Sequence, residues 1–354
     1  PPPLHPQPAI RDWSVTGGQT CALPISLECL EEDFGISGTV LSWMHSYLTD
    51  RTQSVAISGT SSAPHELTVG LPQGSNVGPG EFPTYSAPLF HIARKHGINI
   101  HMYADDTQLY LAFEPKDYEE AKSRLEMCLQ EMRSWMANHH LKLNDQKTEF
   151  LVIGQKASLR KVPGPHTITI GDASIQASEQ AKNIGAIMDT ELNMTSHVNN
   201  ISKSCYVHLR NIARIRPNLT EESAATLVHA FISSKLDCGN TLLYGVPDKV
   251  IRKLQLIQNN AARIVTRSNK YEHVTPLLKR LHWLPVRFRI TYKICLLTCL
   301  KCLQGKAPQY LMDMLTPYAP SRSLQSSNQH LLKEKHARLK RVGDRAFQVV
   351  APKV

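Results

Sequence analysis

The feature that most limits the fold of this chain is a change of hydrophobic period near residue 195. Before it, apolar residues come in short runs that end at glycines or polar turns. Residues 98–102 and 107–113 alternate as half-buried strands do, and 53–58 and 65–69 read as a second strand pair. Helical spacing appears at 27–34, 39–48 and 82–95, the last stopped by Gly97. It is clearest over 117–140, where Tyr118, Ala121, Leu125, Cys128, Met132 and Trp135 fall on one face. Short strands are expected at 148–153, 166–170 and 182–188. After 195 the text is mostly helical, over 196–215, 221–236, 247–266, 275–281 and 289–303, with Thr220 as an N-cap. Mixed helices and hairpins followed by helices give an α+β class. No internal repeat is present.

The same boundary divides the charge. Residues 1–199 hold 14 Lys and Arg against 22 Asp and Glu, whereas residues 200–354 hold 26 against 8. The second half is a polycation, and nucleic acid or another acidic surface is its natural partner. No apolar run approaches the roughly 20 residues that span a bilayer. No basic stretch followed by an apolar run opens the chain, so no signal peptide is expected. The eight cysteines are then expected to be free thiols in a nuclear or cytoplasmic protein. The first methionine is Met44, so the text is expected to be an incomplete reading frame. Residues 1–26, opening with PPPLHPQPAI, sustain no period and are expected to be disordered or foreign to the fold. The Ser-, Lys- and Arg-rich residues 318–354 are expected to form a basic tail.

Three places could carry chemistry. Tyr103-Ala104-Asp105-Asp106 stands between two strand-like runs, so two carboxylates meet at a hairpin tip. Hard divalent cations prefer such oxygens, and phosphoryl transfer needs them to neutralise charge on phosphate. Asp is also common in tight turns, so the tetrapeptide alone is only moderately specific. About 30 residues earlier, Gly70-Leu71-Pro72-Gln73-Gly74-Ser75 is a glycine-bounded loop. Its Gln73 and Ser75 could bond bases, sugars or phosphates. Lys147, just before the strand expected at 148–153, could hold or protonate a leaving pyrophosphate. Without context the loop reads as a surface turn and the lysine as a solvated side chain.

Together, in this order and spacing, the pieces resemble the reverse transcriptase of non-LTR (LINE-like) retrotransposons. The resembling text is GLPQGSNVGPGEFPTYSAPLF, HGINIHMYADDTQLYLAF, HHLKLNDQKTEFLVIG and KNIGAIMDTELNMTSHV, continued by LHWLPVRFRITYKICLL and APQYLMDMLTPYAPSRSLQSS. The resemblance covers the chain from Leu27 onward. It implies a partial right-hand polymerase, with a fingers and palm remnant over 27–195 and a mostly helical, basic thumb and connection over 196–317. It implies catalytic magnesium on Asp105 and Asp106, and Lys147 as the family's downstream lysine. Pro72, Gln73, Gly74, Ser75 and Tyr103 would meet template and incoming nucleotide. The implied partners are an RNA template, a DNA primer and deoxynucleoside triphosphates, with no membrane.

The chain also departs from that pattern. The family's other metal-binding aspartate lies upstream in a strand of F-x-x-A-F-D type, and no such strand is found; Asp12, beside Arg11 and Trp13, is the one acid before Leu27. Weak magnesium binding and no polymerisation by this chain alone are therefore expected. Two further readings stay open: a non-catalytic basic nucleic-acid-binding remnant, and a pseudogene product without function. Asn76, Gly80 and Glu81 stand where the family is usually apolar, and a charge at 81 is costly where a helix packs. Cys295, Cys299 and Cys302 share one helical face and read as core packing rather than a metal cluster. His139 and His140 read as a helix end, Trp283 as core, and 333–341 as a solvated basic cluster or a nucleic-acid or import signal.

Overall fold

The computed structural model describes residues 22–67, 76–319, 331–337 and 340–354. The chain gathers into two compact units. The first runs through Val152 and takes in Lys156–Ala177; the second joins Ile153–Gln155 to Ser178–Val354. Most of the segment 1–26, the loop Pro72–Ser75 and part of the tail lie outside the described residues. Among the described residues no helix is long and apolar enough to cross a membrane.

The first unit opens with helices α1 (Ala22–Glu32) and α2 (Gly38–Leu48). Helix α1 thus begins ahead of Leu27. Strand β1 (Arg51–Gln53) pairs antiparallel with β4 (His65–Leu67). Between them β2 (Ala56–Ile57) turns back on β3 (Thr60–Ser61), so the strand expected over 53–58 is split by a second, nested hairpin. The helix expected over 82–95 is likewise two helices, α3 (Gly78–Tyr85) and α4 (Pro88–Lys95). Pro88 has no N–H with which to continue the first, and its fixed φ suits the start of the second.

Next come β5 (Asn99–Tyr103), β6 (Asp106–Tyr110) and the long helix α5 (Tyr118–Asn138). The helix buries Tyr118, Ala121, Cys128 and Met132, the face its spacing marked out. Leu89, Ile92, Ala93 and Ile98 meet Cys128 and Met132 in one cluster. A short helix α6 (Lys156–Leu159) precedes β7 (Thr167–Ile170), which pairs with β8 (Ala173–Gln176). Ile168 and Ile170 of β7 close a second cluster over Leu129. The strand expected over 148–153 is not formed: a single parallel bridge joins Phe150 to Ala177. Thr148 instead ends a tight turn, its hydroxyl donating to the Asn144 carbonyl at 2.9 Å.

The second unit begins with a hairpin, β9 (Gln180–Asn183) and β10 (Ala186–Asp189), where one strand was expected. Helices follow: α7 (Thr195–Ile215), α8 (Glu221–Val228), α9 (Ser234–Asp237), α10 (Asp248–Thr266), α11 (Val274–Arg280), α12 (Val286–Cys295) and α13 (Gln309–Met312). The Thr220 hydroxyl accepts from the Ser223 N–H at 3.1 Å, so the N-cap is in place. One continuous core joins α7, α8, α10 and α12 through Val198, Cys205, Val228, Leu254, Ile257, Val265 and Ile290. Buried Arg216 is held by three carbonyls, of Ile264, Val265 and Leu219, at 2.9, 2.6 and 2.6 Å. Two of these end α10, where a cation also meets the negative end of the helix dipole.

Within the basic tail expected over 318–354, residues 349–351 are buried. Val349 and Val350, in α15 (Phe347–Val350) after the short α14 (Lys340–Gly343), are both buried. Val350 belongs to the main core, and Arg345 donates to the carbonyls of Leu192, Leu242 and Tyr244. Gly245, at φ +69°, lets that arginine cross: a Cβ there would stand 2.8 Å from Arg345 Cγ.

Helix α12 continues through a wider turn, Leu296–Cys302. Its buried positions are Val286, Ile290, Ile294, Thr298 and Cys302, every fourth residue. A row of period 4.0 drifts about 40° per step on an ideal 3.6-residue helix, and the wider turn takes up that drift. This sorts the three cysteines. Only Cys302 is core; Cys295 is half-buried and Cys299 exposed, so the common buried face read from the sequence is corrected.

Candidate active site

Strands β5 and β6 pair in full antiparallel register, from Asn99 opposite Tyr110 to Tyr103 opposite Asp106. Alternation then sorts the side chains. Ile100, Met102 and Leu109 face α4 and α5 and pack on the cluster of Leu89, Ile92, Cys128 and Met132. The other row, Asn99, His101 and Tyr103 with Asp106, Gln108 and Tyr110, faces outward. The rings of His101 and Tyr110 stack at 5.3 Å, with the Tyr110 hydroxyl 3.2 Å from His101 Nε2.

Only Ala104 and Asp105 connect the strands, the tight tip expected from the sequence. Ala104 takes φ +52°, a conformation that side-chain-bearing residues rarely adopt. Tyr103, Asp105 and Asp106 are all exposed, and no ion pair among the described residues engages either carboxylate. The hairpin therefore places Tyr103, Asp105 and Asp106 at one exposed tip.

Lys147 is held separately. It ends a tight turn, Asp145–Lys147, in which the Asn144 side-chain oxygen accepts from the Lys147 N–H at 3.2 Å. Arg133 of α5 fixes that turn, donating to both Asp145 carboxylate oxygens at 3.0 Å and to the Ile170 carbonyl at 3.2 Å. Gly171 lies under the same guanidinium at φ +59°, where a Cβ would come within 2.9 Å of it. Leu109 of β6 and Leu143, four residues before Lys147, pack on the same cluster of Leu129, Ile168 and Ile170. Hairpin and lysine turn thus share one core, though no hydrogen bond joins the Lys147 side chain to the hairpin. Pro72, Gln73, Gly74 and Ser75 lie outside the described residues.

The two aspartates offer the hard oxygen donors that magnesium takes, so the donor chemistry fits a divalent cation. Among the described residues, no group of three His, Cys, Asp or Glu converges to hold a metal. Two carboxylates alone supply only part of the oxygen set that a divalent cation takes. Sequence reasoning missed Arg133, whose role depends on partners 12 and 37 residues away. His139 is a helix end as expected: its ring stacks on Trp135 at 4.0 Å, and its carbonyl accepts from the Tyr85 hydroxyl at 2.5 Å. Trp283 is core, with His229 edge-on to its ring.

Glu81 is a further departure from an ordinary packed unit. It is 6% exposed, and neither carboxylate oxygen has a hydrogen-bond partner. Burial pushes its pKa above the usual carboxylate value, and the charge of Arg51 offsets only part of that rise.

Residues 24–188, which contain the hairpin and the lysine turn, match the family described as reverse transcriptase (RNA-dependent DNA polymerase). A probable RNA-directed DNA polymerase from transposon BS of Drosophila melanogaster is 27% identical over 250 residues, covering 68% of this chain and 27% of that protein. The RNA-directed DNA polymerase from mobile element jockey of the same organism is 22% identical over 231 residues, covering 62% of this chain and 24% of its own length. The chain spans about a quarter of these relatives. A match to 68% of the chain is more than residues 1–188 can supply, so the likeness to the transposon BS protein reaches into the helical unit. Residues 24–188 thus resemble a reverse transcriptase segment, and the chain is similar to RNA-directed DNA polymerases borne by transposons.

Proposed function

We propose that this chain is the palm-side remnant and thumb of an RNA-directed DNA polymerase, and that it holds one half of the catalytic metal site. The observation that carries the reading is the tip of the hairpin: Asp105 and Asp106 stand exposed and without ion pairs among the described residues, on a platform fixed by two strands and two helices. A fingers and palm remnant over 27–195, a thumb and connection over 196–317 and a basic end over 318–354 complete the assignment. Asp105 and Asp106 would hold magnesium, which when bound supplies positive charge to the reacting phosphate oxygens. Lys147, on a turn clamped by Arg133, would hold the leaving pyrophosphate. Tyr103 and the loop of Pro72, Gln73, Gly74 and Ser75 would meet primer, template and incoming deoxynucleotide. The excess of cations after residue 200 favours the grip of a thumb on a phosphate backbone. The proposed place of work is the nucleus or cytoplasm.

A half-site predicts an inactive polymerase. With an oligo(dT) primer on poly(rA), dTTP and magnesium, the chain alone is expected to extend no primer beyond the background of an Asp105→Asn, Asp106→Asn variant. It is expected to bind the primer–template, with affinity falling steeply as salt rises. Extension above background refutes the half-site. A chain that folds yet binds no primer–template at low salt refutes the nucleic-acid reading and leaves a product without function. The non-catalytic reading, a basic nucleic-acid-binding remnant, keeps the binding and lacks any role for the aspartates.

A further inference from the structure

We propose that the outer face of the helix Val286–Cys302 is a stacking surface for single-stranded nucleic acid. The helix lies within the part assigned to the thumb and connection, but the inference goes beyond that reading and uses neither the hairpin carboxylates, nor Lys147, nor the loop Pro72–Ser75.

The first observation is compositional. Residues 273–312 contain no Asp or Glu and seven Lys or Arg. Three of the cations are engaged by carboxylates from elsewhere: Arg280 by Glu221, Arg287 by Asp248 and Arg289 by Asp237. Lys293 and Lys301 are exposed and, among the described residues, meet no carboxylate.

The second observation is geometric. The buried row repeats every fourth residue, and the wider turn keeps it aligned. A row two residues out of phase lies on the opposite side of the helix, and it too stays aligned. That row is Phe288, Tyr292, Leu296 and Leu300. Phe288, Tyr292 and Leu300 are 57%, 60% and 51% exposed, a large apolar investment in solvent. The next position round is cationic at 289, 293 and 301. Arg289 is tied inward to Asp237, which leaves Lys293 and Lys301 beside the apolar row.

Two exposed rings about 6 Å apart along a helix, with cations on one flank, match the chemistry of a single strand. Bases have faces to stack on the rings, and phosphates stand one strand-width away to meet the lysines. A duplex keeps its base faces inside and cannot use the rings. A protein helix without acidic residues docking here would take up the apolar surface and leave the lysines without partners. The charge therefore selects a polyanion, and the rings select one with unpaired bases.

The test uses the full chain and a fluorescent oligo(U) of about 12 nucleotides, read by anisotropy. Phe288→Ala with Tyr292→Ala is expected to weaken binding about tenfold or more. Binding of an RNA duplex of equal length is expected to stay unchanged. Phe288→Leu with Tyr292→Leu keeps the apolar surface and the fold while removing the rings, and is expected to bind as weakly as the alanine pair. Phe288→Trp with Tyr292→Trp is expected to restore affinity. A change below about twofold in the leucine pair overturns the proposal. So does an equal loss on the duplex, or a dimer in sedimentation velocity that the alanine pair dissociates, which would make a second copy the occupant. Primer extension is not a readout here, so failure of this surface and failure of the polymerase reading are separable.

Discussion

Replacement of Glu81 by leucine should stabilise the first unit, against the usual direction of core substitutions. The carboxylate is 6% exposed and both oxygens lack partners. Leaving a buried polar group unpaired costs about 1–3 kcal/mol, and an apolar residue of similar volume removes that cost. A gain of about 2 kcal/mol raises the transition of a unit of this size by roughly 4–8 °C. The pH dependence fixes the cause. Burial raises the folded-state pKa of Glu81 above its unfolded value. Its contribution is therefore fully present below the unfolded pKa, where the acid is neutral in both states, and is lost as pH rises through the folded value. Scanning calorimetry of the wild type and of Glu81→Leu at pH 4 and pH 8 should show a gain that is large at pH 8 and small at pH 4. Glu81→Gln removes the charge but leaves an unpaired amide, so it should flatten the same pH slope with a smaller gain. A leucine variant less stable than wild type at pH 8, or one that keeps the wild-type slope, would refute the reading of Glu81 as an unpaired buried acid.

Two other outcomes can be checked independently. Arg216→Met leaves the three carbonyls that tie the turn after α7 to the end of α10 without this donor, and it should lower the second unit's stability by about 1–3 kcal/mol, seen as an earlier transition in urea fluorescence. Burial pushes the Cys128 and Cys205 thiols up to about 11, so at pH 8 a thiol-specific reagent should label exposed Cys238 and Cys299 in the native chain and reach Cys128 and Cys205 only after unfolding.

The sequence alone was enough where the deciding contacts are local. The face of α5 follows from residues three and four apart, and the N-cap at Thr220 needs only Ser223. The hairpin Asn99–Tyr110 follows from alternation on both sides of a short polar link, so the tip that pairs Asp105 with Asp106 is legible in the order of residues itself. The charge division near residue 195 is likewise a property of the sequence.

Tertiary structure decided what depends on residues far apart in the chain. One break is local all the same: Pro88 divides a helix whose apolar spacing reads as continuous, because a missing N–H outweighs the pattern. The three cysteines after 294 look equivalent by spacing, yet a wider turn sends Cys302 inward and Cys299 outward. Residues 345–351 read as a basic end, but Arg345 finds carbonyls of residues 192, 242 and 244, and Val350 enters the core. Lys147 owes its setting to Arg133, Asp145 and Ile170, three residues brought together by packing. Local period specifies each element because neighbouring side chains compete for one backbone conformation. It does not specify which carbonyls, carboxylates and apolar faces meet, because that is settled only when distant segments share one core.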